Sequence, residues 1–280
     1  MPELPEVETI VRTLAPQVSG LRMNGFRLLS PRTLQAGEDL LPLLEGALIS
    51  GVRRRAKLLL LDLLDKSSLP LILAFHLKMT GRLLVREPGA EPHKHTKLVC
   101  ELGSADAALP RARLFFDDVR TFGYCRLLRP ESLPEWPFWA GIGLEPLEHA
   151  PEDLAEALGR RSGQIKNLLL NQSVIAGIGN IYADESLFRA GIRPDRKTRD
   201  LGREDLLLLA RHIQDILGEA IAACGSSIRD YLDARGNAGA FQNQFNVYGR
   251  GGQACKRCGA VLASARLAGR GAVYCPRCQS

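Results

Sequence analysis

The chain has 280 residues, 30.7 kDa, with 45% hydrophobic and 24% charged residues, enough apolar material for two domains and too much for wholesale disorder. Its apolar runs, such as 58–61 and 69–75, fall far short of the ~18–20 residues of a membrane-spanning helix. Lys and Arg outnumber Asp and Glu by 37 to 31, giving +6 and a pI near 9.0, a modest bias toward an anionic partner.

The amino terminus, Met1-Pro2-Glu3-Leu4-Pro5-Glu6, is acidic and broken by prolines, the opposite of a secretory or mitochondrial leader, so a cytoplasmic address is expected. Removal of Met1 before the small Pro2 would leave a secondary amine as the first group. An α-amino group has a pKa of ~7.7–8.0, so a usable fraction is uncharged near neutrality. Amines attack carbonyl carbons to give Schiff bases, and a secondary amine gives an iminium that is cationic without a proton. Val7, Ile10, Val11 and Leu14 recur at helical spacing, which predicts a helix from about Pro5 with one face inward. Pro5, Glu6 and Glu8 are ordinary helix-start residues; Pro2-Glu3 ahead of them is not explained by helix formation.

Residues 47 to 128 read mostly as strands, at 58–64, 69–75, 97–102, 112–116 and 124–128, a pattern that suggests a sandwich. Arg53-Arg54-Arg55-Ala56-Lys57 places a basic cluster where the first of these runs opens, in keeping with a charged, solvated edge. The stretch 136–151, with several prolines and both tryptophans, reads as an interdomain linker. Beyond Pro151 the pattern turns helical. Gly177-Ile178-Gly179-Asn180 lies between two apolar helical stretches, where backbone N–H groups at a helix start can hold a phosphate. Leu206, Leu209, Ile213, Ile216, Leu217, Ala220 and Ile221 mark one long amphipathic helix.

From Ala234 to Ser280 there are seven basic residues (Arg235, Arg250, Lys256, Arg257, Arg266, Arg270, Arg277) and no acidic one. Of the seven cysteines, Cys100, Cys125 and Cys224 are scattered and read as small buried hydrophobes. The other four form two C-x2-C knuckles, Cys255/Cys258 and Cys275/Cys278, with 16 residues between them, the spacing of a four-thiolate zinc site. Four thiolates leave no open coordination position, so one structural Zn2+ is expected, holding a hairpin too small for its own core.

Taken together these segments resemble one family. The start Met1-Pro2-Glu3-Leu4-Pro5-Glu6-Val7-Glu8-Thr9, the Arg54-Arg55-Ala56-Lys57 element, His76-Leu77-Lys78-Met79-Thr80-Gly81, the run from Gly177 to Phe188, Val247-Tyr248-Gly249-Arg250 and the four-cysteine end are similar, in order and over the whole chain, to the bacterial formamidopyrimidine-DNA glycosylases. The resemblance implies an α+β multidomain protein. Residues 1–135 would form a catalytic N-terminal β-sandwich with flanking helices and 136–150 a linker. A helix-two-turn-helix DNA-binding domain would follow at 151–238, and a zinc finger at 244–280. It implies a monomeric bifunctional glycosylase/AP lyase of base excision repair, cytoplasmic with activity at the nucleoid, acting on double-stranded DNA that carries oxidised purines or abasic sites. Pro2 would be the nucleophile, Glu3 the acid/base, Lys57 the proton donor in β-elimination and Arg270 that in δ-elimination. Asn180 would hold the phosphate beside the lesion, while Met79, Arg120 and Phe122 would fill the gap left by the extruded nucleotide. His93 and Arg161 would be further DNA contacts.

The chain also departs from the family pattern. Asp118-Val119-Arg120-Thr121-Phe122-Gly123 lacks one arginine and a proline usual in that loop, Lys78 stands where glycine is usual, and 224–240 differs from the usual lesion-capping segment. Three other readings are weighed against this one: an endonuclease VIII-like preference for oxidised pyrimidines, a non-catalytic zinc-ribbon DNA-binding protein, and an amino-terminal-proline enzyme acting on small carbonyl compounds. Leu4 and Val7-Glu8-Thr9 favour the purine branch, and the basic zinc tail would be unexplained in the last.

Overall fold

A computed structural model describes residues 1–104, 110–227 and 231–280. The chain forms two compact units, each discontinuous in sequence: Met1–Ala140 with Cys224–Ala240, and Gly141–Ala223 with Phe241–Ser280. No helix among the described residues is long and apolar enough to cross a membrane.

The first unit opens with helix α1 (Leu4–Val18), whose Val7, Ile10, Val11, Leu14 and Val18 enter the main apolar core as their spacing predicts. Eight strands follow: β1 (Arg22–Leu28), β2 (Leu48–Arg55), β3 (Leu58–Leu64), β4 (Pro70–His76), β5 (Gly81–Arg86), β6 (Thr96–Gly103), β7 (Ala112–Asp118) and β8 (Tyr124–Leu128). All pair antiparallel, in the order β5-β7-β6-β1-β2-β3-β4-β8. Between β1 and β2 the pairing is thin, a single partner pair of Arg22 and Leu48, so the sheet can bend there. It does: Phe75 on β4 meets Phe116 on β7 edge-to-face at 5.4 Å, although these strands stand near opposite ends of the order. The two halves thus face each other across one core, and the expected sandwich forms. Strands β1, β2 and β5 were not anticipated individually. β1 carries an internal Asn-Gly and two arginines, and its register shifts between Met23 and Gly25.

Two expectations are corrected. Residues 224–238, expected at the end of the helical domain, lie in the segment Cys224–Ala240 that belongs to the first unit. Its Ser226 N–H donates to Glu6 Oε1 (2.8 Å), Ala234 C=O accepts from Val85 N–H (3.1 Å), and Tyr231 and Ala234 lie in the sandwich core. Within it, residues 228–230 of the expected lesion-capping segment fall outside the described residues. Cys224, read as buried, is exposed, at a left-handed φ of 59° where the chain leaves its helix; Cys100 and Cys125 are buried as expected. The division between the units falls after Ala140, at the end of the short helix α2 (Pro137–Ala140), inside the stretch read as a linker.

The second unit contains α3 (Pro151–Gly159), α4 (Ile165–Leu170), α5 (Asn180–Ala190) and α6 (Arg203–Ala222), then a hairpin of β9 (Ala263–Leu267) and β10 (Arg270–Tyr274). The buried face of α6 includes all seven residues that its periodicity marks. Lys166 on α4 is fully buried; its Nζ lies 2.6 Å from Asp184 Oδ1 on α5 and donates to Gly271 C=O on β10, also at 2.6 Å. Asp184 Oδ2 accepts Val273 N–H at 3.2 Å. Burial holds the Asp184 carboxyl above its ordinary range, to about 6, against the pull of Lys166. This pair fastens the strand that begins with Arg270 to the helix that begins with Asn180. Replacing one member strands the other charge, at a typical cost of about 3–5 kcal/mol. Lys166→Met is therefore expected to lower stability by that amount in urea unfolding, and Lys166→Met/Asp184→Leu to recover most of the loss.

Candidate active site and zinc site

Glu3 is the N-cap of α1 and is 4% exposed. Glu3 N–H donates to Glu6 Oε2 at 2.8 Å, the third helical residue reaching back to the N-cap as in one half of a capping box. The other Glu6 oxygen takes Ser226 N–H, so two stretches of backbone converge on one buried carboxylate. Pro2, immediately ahead, is buried, while Met1 is exposed. The start of the chain is thus held in place on a helix end.

Lys57 is 5% exposed in a two-residue turn between β2 and β3, whose closing pair is Arg55 and Leu58. The basic run 53–57 is therefore not a solvated edge: it closes a hairpin in the middle of the strand order. Beyond the hairpin, the buried His76 ends β4 opposite Leu58, its ring against Tyr124 (5.5 Å) and Phe138 (5.8 Å). His76 Nδ1 accepts Lys78 N–H at 3.1 Å. Burial, reinforced by the charges of Lys78 and Lys57, holds this imidazole neutral with a pKa pushed down to about 3. His76 stands in a motif that carries the resemblance, yet nothing in its spacing marked it as a neighbour of Lys57; the hairpin register does.

Met79 and Phe122 are 41% and 54% exposed, large apolar side chains left in solvent on adjoining loops. The loops are joined through Asp118, itself 1% exposed. Its Oδ1 accepts the Thr80 hydroxyl and Arg120 N–H (3.2 Å), and its Oδ2 accepts Gly123 N–H (2.7 Å). Arg120 stacks over the Phe122 ring at 4.9 Å, and Thr121 between them has a left-handed φ of 57°. The substituted loop therefore still projects an arginine and an aromatic ring from a buried carboxylate anchor. His93 is exposed, its Nε2 3.0 Å from Asp117 Oδ2.

The remaining candidates belong to the second unit. Asn180 is the first residue of α5; Gly179 precedes it in extended conformation and Gly177 has φ 83°. The Asn180 Oδ1 is buried with no hydrogen-bond partner among the described residues, which leaves a polar side chain at a helix start to be satisfied from outside. Arg161 is exposed, with its carbonyl accepting the Thr198 hydroxyl at 2.6 Å. Arg270 is exposed and follows the Ala268-Gly269 turn, whose two residues both have positive φ (45° and 78°), as a tight hairpin turn requires.

The sulfurs of Cys255, Cys258, Cys275 and Cys278 lie within 4.8 Å of one another, with Cys258 and Cys275 3.5 Å apart. Tetrahedral zinc with Zn–S near 2.3 Å needs sulfurs about 3.8 Å apart. The Cys255 and Cys275 sulfurs also accept backbone N–H groups from Arg257 and Cys278, each at 3.4 Å, which draws each knuckle around its first sulfur. The donor set fits one structural zinc ion and leaves no side for substrate.

Comparison with known proteins agrees with this arrangement. The formamidopyrimidine-DNA glycosylase N-terminal domain matches residues 1–125, the H2TH domain of the same enzymes 142–231, and a zinc finger found in FPG and IleRS 252–280. A formamidopyrimidine-DNA glycosylase of Nitratidesulfovibrio vulgaris is 58% identical over 207 residues, covering 74% of this chain and 55% of that protein. One from Desulfitobacterium hafniense is 42% identical over 283 residues and the whole of both chains. Among solved structures, a mutant of the Lactococcus lactis FPG in complex with Fapy-dG-containing DNA superimposes with a TM-score of 0.87 at 35% identity over the whole of both chains. The Lactococcus lactis enzyme with abasic-site DNA gives 0.87 at 35% over 99% of each. Matched in order by these three models and along its whole length by a relative 42% identical, the chain belongs to the formamidopyrimidine-DNA glycosylases.

Proposed function

We propose that this protein is a DNA glycosylase of base excision repair that removes oxidised purines and then cuts the strand as an AP lyase, with Pro2 as nucleophile. The observation that carries the mechanism is the pairing of Pro2 with a buried, N-capping Glu3 at the start of α1. Family membership supports the glycosylase reaction, and relatives solved with Fapy-dG, abasic-site and carbocyclic 8-oxo-G DNA support the substrate class. We further propose the N-terminal sandwich, the helical domain and the zinc finger as the functional modules, with Cys224–Ala240 working as part of the first, a monomer as the acting form, and a cytoplasmic address with work at the nucleoid.

The chemistry follows from a free imino acid. Once Met1 is removed, the Pro2 nitrogen carries a lone pair. It attacks C1′ of the extruded nucleotide as the C1′–N bond breaks, and the proton that the proline nitrogen gives up goes to the departing base. Glu3 delivers a proton to the sugar ring oxygen, the ring opens, and C1′ becomes an iminium carbon. Loss of a C2′ proton sends its electron pair toward the iminium, and the C3′–O bond breaks with the 3′ phosphate as leaving group. Lys57 donates a proton in that β-elimination. A second elimination expels the 5′ phosphate, with Arg270 as donor. Asn180, the first residue of α5, donates from its side-chain amide Nδ2 to the flanking phosphate, and His93 and Arg161 add DNA contacts. Extruding a nucleotide costs a few kcal/mol; Met79 and Phe122, with Arg120, offset that cost by occupying the vacated stack. The four-cysteine zinc hairpin holds Arg270 on a rigid turn and supplies no chemistry of its own.

Borohydride is expected to trap the Met1-processed protein covalently on abasic-site DNA, because it reduces an iminium. A form retaining Met1 has an amide nitrogen at Pro2 and should trap at background level; equal trapping by both forms would contradict the nucleophile. Lys57→Ala is expected to slow strand cleavage at a preformed abasic site by at least about 100-fold, with zinc content and thermal unfolding unchanged. An unaltered cleavage rate would remove the role assigned to Lys57.

A further inference from the structure

The turn that presents Lys57 is strained, and a charged relay from α1 holds it. Arg55 pairs with Leu58, so Ala56 and Lys57 alone make the reversal. Ala56 has φ 53°, while Lys57 is not among the residues with positive φ. A two-residue hairpin turn with only its first position left-handed takes glycine there by preference, and a Cβ at that position costs about 1–2 kcal/mol. Ala56 is 1% exposed, so solvent does not satisfy its backbone.

Arg54 does. Its Nη1 donates to Ala56 C=O at 3.0 Å, and its Nε donates to Glu8 Oε2 at 3.1 Å. The Arg54 side chain is 5% exposed, an unusual place for a guanidinium, with Glu8 as its counter-charge. Glu8 in turn receives Arg12 Nε on its other oxygen at 2.8 Å. Burial pushes the Glu8 carboxyl up, but the hydrogen bonds from Arg12 and Arg54 bring it below its ordinary range, so it stays ionised at working pH. The neighbouring Arg53 is different: it pairs with Asp62 on the exposed face.

Ala56 C=O belongs to the peptide unit whose N–H is that of Lys57. A bond on this oxygen fixes the plane of that unit, and with it the direction in which the Lys57 side chain leaves the backbone. Glu8 stands on α1, the helix whose N-cap is Glu3. The same contact therefore registers the support of the proline nucleophile against the support of the lysine. An ion pair that served stability alone would have no need of the third bond, to the one carbonyl adjoining Lys57.

We propose that Arg54, gripped by Glu8, is a positioning residue for the lyase reaction: it holds the strained Ala56–Lys57 peptide so that Lys57 meets the leaving phosphate. The proposal rests on the reading of Lys57 given above. A misplacement of about 1 Å can cost 10²-fold in rate, and the remedy is specific. Glycine at position 56 adopts the left-handed turn without strain, so it should replace the function of the arginine.

The test compares wild type, Arg54→Gln, Arg54→Lys, Ala56→Gly and Arg54→Gln/Ala56→Gly as full-length, zinc-loaded, Met1-processed proteins. Single-turnover cleavage of abasic-site DNA and its Kd are measured for each. Alongside them, the rate of Lys57 acetylation in the DNA-free protein is followed by peptide mass spectrometry. Arg54→Gln is expected to slow cleavage about 10- to 100-fold with Kd changed less than 3-fold, and to speed Lys57 acetylation at least 5-fold. Adding Ala56→Gly should restore at least 10-fold in cleavage and re-protect Lys57. If Arg54→Gln does not fold, Arg54→Lys with and without Ala56→Gly is read in the same way. A Kd that rises in step with the lost rate, without rescue by glycine, would show Arg54 gripping DNA itself and overturn the proposal, as would unchanged cleavage and acetylation. The acetylation readout needs no catalysis, so an inactive wild type would sink the functional reading while the positioning claim is still decided.

Discussion

Glu6 carries the constraint on which the first unit depends. Its carboxylate is 1% exposed and accepts two backbone N–H groups, one from Glu3 at the start of its own helix and one from Ser226, 220 residues further on. A buried carboxylate is tolerable only when such bonds replace its water. The first bond closes the helix start that bears Pro2. The second returns a distant stretch of chain, Cys224–Ala240, to the sandwich. Glycine is needed at this crossing. Gly225 has φ 78°, and a Cβ on Gly239 would stand 2.2 Å from Gly225 C=O. The start of the chain, ordinarily the most mobile part of a protein, is in this way tied to two separate parts of the sequence.

Three of the proposed working elements stand on buried charged anchors. Lys57 stands on Arg54 and Glu8, the Met79 and Phe122 loops on Asp118, and the Arg270 hairpin on Lys166 and Asp184. In all three, charged side chains out of solvent bond backbone groups next to an exposed or reactive residue. Such anchors add little net stability, because desolvation offsets the Coulomb gain. What they supply is a single backbone orientation, which catalysis requires. His76 fits the same scheme from the other side, since a neutral ring next to Lys57 and Lys78 adds no competing charge.

The elements legible in the sequence were those with strong periodicity or fixed spacing. The seven apolar positions of α6 are all buried, and β3 and β8 run over the residues that their apolar runs mark. The cysteine knuckles needed only counting. What stayed hidden was non-local. β1 is broken by Asn-Gly and short of apolar residues, so its place between β6 and β2 comes from its partners. Arg54 looks in the sequence like its neighbour Arg53, and only the hairpin register separates the buried residue from the one on the exposed face. His76 and Asp118 gave no signal of their own, since a lone histidine or aspartate has no spacing to read.

By itself, then, the sequence determined the chemistry available: a proline directly after Met1, a carboxylate after it, four thiolates at knuckle spacing and a surplus of cations near the end. These are properties of residue type and short-range spacing, fixed before any folding. Tertiary structure decided how those groups are held. It folded eight strands into two facing halves, brought Cys224–Ala240 back to Glu6, and set a left-handed alanine under an arginine beside Lys57. Those outcomes turn on which buried donors find which acceptors across tens to hundreds of residues, and residue type alone leaves that pairing open.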